Sequence, residues 1–338
     1  VSNKKKLIIY SISVFILAIF LLLPLPYYIY KPGTADSLHS VVEVEGGFQS
    51  EGDLHLVTVR GGRATPLQFL LANFLPYQEV HRLADVFPEG YDRDMYLQAQ
   101  LQLMESSQQA AMVVAYQAAG EPIEVHYEGV YVVSIIEGMP AESVLQIADK
   151  ILEVNGEPVR DADHLIELVN SYEVGDVVRF LVSREEDQFV AEIELAPFPH
   201  QPDQYGIGIQ LVTNREVNVE RSVTFSSGKI GGPSAGLVLS LEMYNQLTEE
   251  DITHGLSIAG TGEIDYNGNV LRIGGVDKKV IAADRAKCDI FFVPNEHGAE
   301  DSNYVLAMET AERIGTDMEI IPIDTFEDAL DYLAALDR

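Results

Sequence analysis

Polar and apolar positions change rhythm several times along this chain, and each change marks an element. Leu7–Tyr30 carries no charge and follows Lys4, Lys5 and Lys6. About 20 apolar residues suffice to cross a bilayer core. The run therefore predicts a transmembrane helix over 7–30. Lysine clusters stay on the cytoplasmic side, so residues 1–6 form a cytoplasmic tail and everything after Lys31 lies outside. Tyr27, Tyr28 and Tyr30 fit an interfacial aromatic belt. A cleaved signal peptide is the competing reading, but the run exceeds a typical signal core and no small-x-small site directly follows.

Residues 31–125 form a membrane-proximal region of two characters. Val41–Glu45 and Leu54–Val59 alternate and predict paired strands around Gly46-Gly47. From 64 to 119 the spacing turns helical, through Pro66–Leu70 and the Gln/Met/Ala-rich stretch Met95–Ala119. Met104–Gln108 could face a site there, but a solvated helix with an apolar stripe is the favoured reading. Gly120-Glu121-Pro122 marks a boundary.

Residues 126–198 are strand-rich: Gly129–Ile136, Lys150–Val154 entering an Asn155-Gly156 turn, Val177–Ser183 and Phe189–Leu195, with an amphipathic helix over Asp161–Ser171. Residues 206–338 alternate strand and helix. Strands fall at Gly206–Val212, Ser257–Ala259, Ile290–Val293 and Glu319–Pro322. Helices fall at Ala235–Leu247, Val276–Ala286, Ala299–Ile314 and Phe326–Leu336. The overall class is multidomain α+β, with an α/β unit at the C-terminal end.

Composition narrows the function. A net charge of −31 over 338 residues argues against binding nucleic-acid phosphates. The single cysteine, Cys288, excludes an intrachain disulfide and a cysteine-based zinc site. The eight histidines are scattered without helical pairing, so neither metal nor cofactor is expected. There is no Gly-x-x-x-x-Gly-Lys-Ser/Thr loop; Ser227-Gly228-Lys229-Ile230 lacks the hydroxyl.

Candidate chemistry gathers at Ile230-Gly231-Gly232-Pro233-Ser234-Ala235-Gly236-Leu237. The glycines clear side chains from around Ser234, and Pro233 sets the backbone before it. A serine opening a helix sits among unpaired N–H groups and the positive end of the dipole, which suits an oxyanion. Ile273-Gly274-Gly275 opens a second helix, on which Lys279 shares an apolar stripe with Val276, Val280 and Ala283. Burial there would lower the lysine's pKa and make it a general base for Ser234. Lys278 falls on a mixed face. Gly232–Gly236 also fits the nucleophile elbow of α/β-hydrolases, but Val223–Ile230 is no apolar strand, and only His254 and His297 follow.

Two resemblances join these pieces. Gly129-Val130-Tyr131-Val132, Gly138-Met139-Pro140-Ala141 and Ala148–Gly156 resemble a PDZ domain, which implies capture of a peptide on a sheet edge at Gly129, Val130, Tyr131 and Val132. Ala148 stands where a glycine is usual. Gly232–Gly236, Ile258–Ile264 and Gly274–Lys279 resemble the signature blocks of the Lon peptidase catalytic domain. With the anchor, the chain resembles the membrane-anchored PDZ–Lon peptidases of Gram-positive bacteria. The resemblance implies Ser234 as nucleophile, Lys279 as base, Thr261 donating a hydrogen bond to the lysine amine, and the backbone around Gly232 and Ser234 as oxyanion hole. Gly231 replaces an aspartate of the ATP-dependent enzymes. Residues 41–60 would complete the catalytic sheet around an inserted PDZ segment. The expected activity is ATP-independent cleavage of extracellular peptides or unfolded segments at the cell membrane; the rival is an inert peptide-binding scaffold.

Overall fold

The computed structural model describes residues 3–72, 74–87, 93–185, 187–199, 201–226, 228 and 230–336. The apolar run forms a helix over Asn3–Leu22, with Leu7, Ile8 and Phe15 each more than half exposed. Its length and composition are those of a membrane-crossing helix. It ends eight residues before Tyr30 because Pro24 and Pro26 cannot continue it. Tyr27–Ser37 is instead a strand. The helix expected over 7–30 is thus corrected at its end, and in the strand Tyr27 packs on Phe69 at 4.6 Å and Tyr28 on Phe87 at 5.4 Å.

That strand enters a six-stranded sheet in the order Glu319–Ile323, Ile290–Pro294, Ser257–Gly260, Asp53–Arg63, Tyr27–Ser37, Glu79–Arg82. The first four run parallel and the last two are antiparallel additions. Ile290–Pro294 is buried throughout, as a parallel strand covered on both faces must be. Successive side chains serve opposite cores. Ile290 and Phe292 pack with Leu54, Leu56, Leu237 and Val238, whereas Phe291 and Val293 pack with Val276, Val280 and Ala283.

The hairpin expected from Val41–Glu45 and Leu54–Val59 does not form. Val42–Val44 pairs with Val223–Phe225. The Gln246 side chain satisfies more of that strand's backbone, accepting from Val44 N–H at 2.8 Å and donating to Val42 C=O at 3.0 Å. Asp53–Arg63 is thereby released to join the main sheet.

A second, antiparallel sheet contains Ile209–Val219, Ile123–Ile135, Lys150–Val154, Val177–Arg184 and Asp187–Glu194, in that order. Its core holds Val130, Val132, Ile151, Phe180 and Ile193. The Asn155-Gly156 turn forms with φ of 50° and 86°, as its residues dictate. The strand expected to open the α/β unit at Gly206 belongs here instead, because Ile209 and Leu211 pack on this second core. In sequence, residues 123–219 lie between strands of the first sheet. The long helix Arg93–Ala119 carries the chain from one sheet to the other.

Near the returning strand, His39 Nδ1 lies 3.1 Å from Glu242 Oε1, and its Nε2 lies 3.1 Å from Ser50 Oγ and 3.5 Å from Asp53 Oδ1. Glu242 is fully buried and also accepts from Gln246 Nε2 at 2.6 Å. The Glu242 hydrogen bond, against the opposing pull of burial, raises His39 to about 9. A raised histidine contributes stability that is whole below its unfolded value near 6.5 and is lost as pH climbs through the folded value. The difference in melting temperature between the protein and His39→Gln should hold constant up to about pH 6.5 and shrink by pH 9. Calorimetry across that range reads it directly.

Candidate active site

Ser234 sits two residues before the helix Gly236–Leu247, in a loop pressed against the long helix. Gly232 adopts φ +90°, a conformation that favours glycine. A side chain on Gly231 would meet Gln100 Cβ at 2.8 Å and its backbone at 3.1 Å. An aspartate at this position would push the long helix away. The replacement of that acid by glycine and the docking of the helix therefore go together.

Lys279 lies on the helix Val276–Ala286, which is buried on more than one face. Its Nζ is 2.6 Å from Ser234 Oγ and 2.8 Å from Thr261 Oγ1. Only 3% of the residue is exposed, and burial pulls its pKa down to about 7. A neutral amine beside a serine hydroxyl is the arrangement for general-base activation of that hydroxyl. The predicted pair is thus brought into contact.

Thr261 is also present, but its hydrogen bond runs the other way from the expectation. Its hydroxyl donates to the Ser234 carbonyl at 2.9 Å, so towards Lys279 it can only accept. One hydroxyl proton cannot serve both. Thr261 therefore fixes the positions of Lys279 and Ser234, and the lysine's low pKa comes from desolvation alone.

Of the two backbone positions expected in the oxyanion hole, Gly232 and Ser234, the first is corrected. Gly232 N–H donates to the Gln100 carbonyl at 2.7 Å and is not free for an oxyanion. The Pro233 carbonyl accepts from Ser107 Oγ at 2.9 Å and from Gly236 N–H at 3.3 Å. In a planar trans peptide the following N–H points opposite to that carbonyl. The Ser234 N–H therefore points away from Ser107, and it has no partner among the described residues.

Of the two readings of Met104–Gln108, the favoured solvated helix gives way to the site-facing one: Met104 and Ser107 are each 4% exposed and press on this loop. A signal was available: Met104, Ser107, Ala111 and Val114 recur at helical spacing, with a serine inside the apolar stripe. Gln100 left none, because it acts through its backbone carbonyl. Lys278, read as mixed, is buried and pairs with Glu79 at 2.8 Å and Asp277 at 3.2 Å. His254 and His297 stand apart, beside the Leu333 carbonyl at 3.1 Å and near Asp324 at 3.7 Å.

These groups open into a cleft of about 830 Å³ between Leu56–Arg60 and Ile230–Ala235, closed behind by Gly274, Gly275 and Lys279. Asp53–Arg63 pairs with Ser257–Gly260 only as far as Leu56. Beyond it, the Val57–Arg60 edge on that side meets no strand among the described residues. Within those residues no group of His, Cys, Asp and Glu is arranged to hold a metal.

The expected peptide edge at Gly129, Val130, Tyr131 and Val132 is corrected. That strand is interior, paired with Ile209–Val219 on one side and with Lys150 and Ile151 on the other. The outer strands of this sheet are Ile209–Val219 and Asp187–Glu194, and the first of them borders a groove. This groove, of about 520 Å³, runs between the strand's start, Ile207–Leu211, and the helix Ala162–Asn170, lined by Leu165, Ile166, Val169 and Ile209.

A model of the Lon protease (S16) C-terminal proteolytic domain matches residues 197–336, and a PDZ domain model matches residues 110–195. The Lon protease of Campylobacter jejuni is 35% identical over 101 residues, which is 30% of this chain and 12% of that protein. That of Clostridium acetobutylicum is 34% identical over 94 residues, covering 28% and 12%. The chain thus spans about an eighth of the curated relatives it matches. The solved PDZ domain of an SdrC-like protein from Listeria monocytogenes is 34% identical, covering 26% of this chain and 93% of that one, with a TM-score of 0.24.

If burial alone sets the lysine, the ¹³Cε resonance of Lys279 should titrate near 7 rather than near the solvated value of ~10.4. Thr261→Val removes an acceptor of the ammonium and should move that midpoint down. An upward shift would restore the donor role originally expected of Thr261.

Proposed function

From a chain that carries the C-terminal proteolytic domain of the Lon proteases and a PDZ domain, we propose an ATP-independent serine endopeptidase, anchored in the cell membrane by Asn3–Leu22 with its catalytic part outside. The observation that carries this reading is the 2.6 Å approach of a buried lysine amine to the Ser234 hydroxyl. Lys4–Lys6 before the apolar helix support the orientation.

In the proposed mechanism a peptide adds as a strand to the open Val57–Arg60 edge, which brings its carbonyl over Ser234. Neutral Lys279 takes the hydroxyl proton as Ser234 Oγ attacks, and the Ser234 N–H stabilises the oxyanion. Lys279 then returns the proton to the departing amine, leaving an acyl-serine. Water, deprotonated by the same lysine, then attacks the acyl carbon, and the lysine passes that proton to Ser234 Oγ as the acid leaves. Substrates are flexible or unfolded peptides, since a folded chain cannot present a free strand to this edge.

Ser234→Ala and Lys279→Met should each lower kcat by more than about 10³-fold, and the double variant should lose little more, because the pair acts as a unit. In the unaltered protein kcat/KM should rise with pH to a plateau, with a midpoint near 7, because the base works only when neutral. A peptide assay from pH 5 to 9 checks this, together with Ser234-dependent labelling by a fluorophosphonate. A flat profile with full Lys279→Met activity rejects the dyad.

The PDZ groove is proposed to capture substrate segments by strand addition at Ile207–Leu211. Ile166 lines it and is 48% exposed, so its replacement spares the core. Ile166→Asp should raise KM for a long unfolded substrate several-fold and leave a short fluorogenic peptide unchanged. Equal losses on both substrates would assign the module a purely structural role.

A further inference from the structure

Outside the anchor helix, four exposed large apolar side chains fall within one six-residue stretch: Leu70, Leu71, Phe74 and Leu75, exposed by 50, 41, 79 and 46%. Helix Pro66–Ala72 begins this stretch and packs beside the anchor helix. The connection between them is tied down, with Leu25 N–H donating to the Ala64 carbonyl at 2.7 Å and Ala64 N–H to the Tyr27 carbonyl at 2.9 Å. The helix's inner face is already used: Ala72 is buried with Ile29 and Ala64, and Phe69 packs there with Tyr27 and Val80. Its outer apolar face is left beside the exit of the anchor.

Charge adds an independent indication. The sheet rungs nearest the anchor set Tyr27 opposite Arg82, and Tyr28 opposite Arg63 and His81. Arg63, His81 and Arg82 are exposed, on a chain whose net charge is −31. Basic side chains beside an apolar face match the acyl–headgroup boundary of an anionic bilayer.

We infer that Leu70, Leu71, Phe74 and Leu75 form a second membrane contact, a foot inserted at the lipid boundary next to the anchor, with Arg63 and Arg82 facing anionic headgroups. The inference rests on the reading of Asn3–Leu22 as a membrane span. Two contacts fix the tilt of the catalytic part, which a single flexible tether would leave free. They also hold the cleft close to the lipid: Tyr30 lines it and lies three residues, about 10 Å of strand, beyond Tyr27.

The test uses the full chain in vesicles of phosphatidylethanolamine and phosphatidylglycerol, in a Cys288→Ala background. An environment-sensitive fluorophore is attached at Phe74→Cys, at Phe15→Cys inside the anchor, or at Glu300→Cys on the exposed surface. Shallow brominated lipids should quench the Phe74 label, deep ones the Phe15 label, and neither the Glu300 label. Aqueous iodide should quench the Phe74 label at least about threefold less than the Glu300 label. Lipid quenching at Phe15 together with free iodide access at Phe74 overturns the foot and leaves the anchor standing. Absence of lipid quenching at Phe15 overturns the anchor reading, and this inference with it.

Discussion

The site depends on keeping one lysine dry. Lys279 would be charged in water, and holding it neutral near pH 7 opposes folding by on the order of 4 kcal/mol. The opposing contribution comes from the helix around it. Val276, Val280, Ile281, Ala282 and Ala283 are all buried, and the sheet strands Ser257–Gly260 and Ile290–Pro294 lie behind them. Desolvation sets the pKa, and Thr261 and Ser234 set the position. The two jobs are separated, so the amine can be basic enough to take a proton and still be held by an acceptor.

The geometry of the Ser234 loop is distributed over distant parts of the chain. Thr261 holds the Ser234 carbonyl, Ser107 the Pro233 carbonyl and Gln100 the Gly232 N–H. Two of these three lie on the long helix, before the second sheet. The strand that walls the cleft, Asp53–Arg63, also precedes that sheet and pairs with a strand about 200 residues further on. The catalytic half therefore cannot be completed by residues 206–338 alone. Residues 31–125 contribute Leu38, Leu54, Leu56, Met104 and Tyr116 to its core.

Legibility varied with the kind of interaction. The Ser234–Lys279 pair was readable because glycine turns and an apolar helical stripe are local patterns, and a lysine within such a stripe stands out. The Asn155-Gly156 turn was readable for the same local reason. The errors share a cause. A carbonyl acceptor such as that of Gln100 has no side-chain signature. The direction of the Thr261 hydrogen bond depended on a carbonyl 27 residues away in sequence. The resemblance to a PDZ domain placed the peptide edge at Gly129–Val132, and the local pattern could not correct it, because a strand run does not say which strands flank it.

The amino-acid sequence alone marked the apolar run, most strand and helix segments of the C-terminal half, and Ser234 and Lys279 as a candidate pair, since each follows from backbone sterics and burial periodicity over a few turns. Tertiary structure decided the partners. It sent Val42–Val44 to Val223–Phe225, made Ile209–Val219 the outer strand of the second sheet, and turned Gly232 N–H to Gln100. Backbone donors and acceptors are alike at every residue. Which of them meet is settled only when buried side chains bring distant segments together.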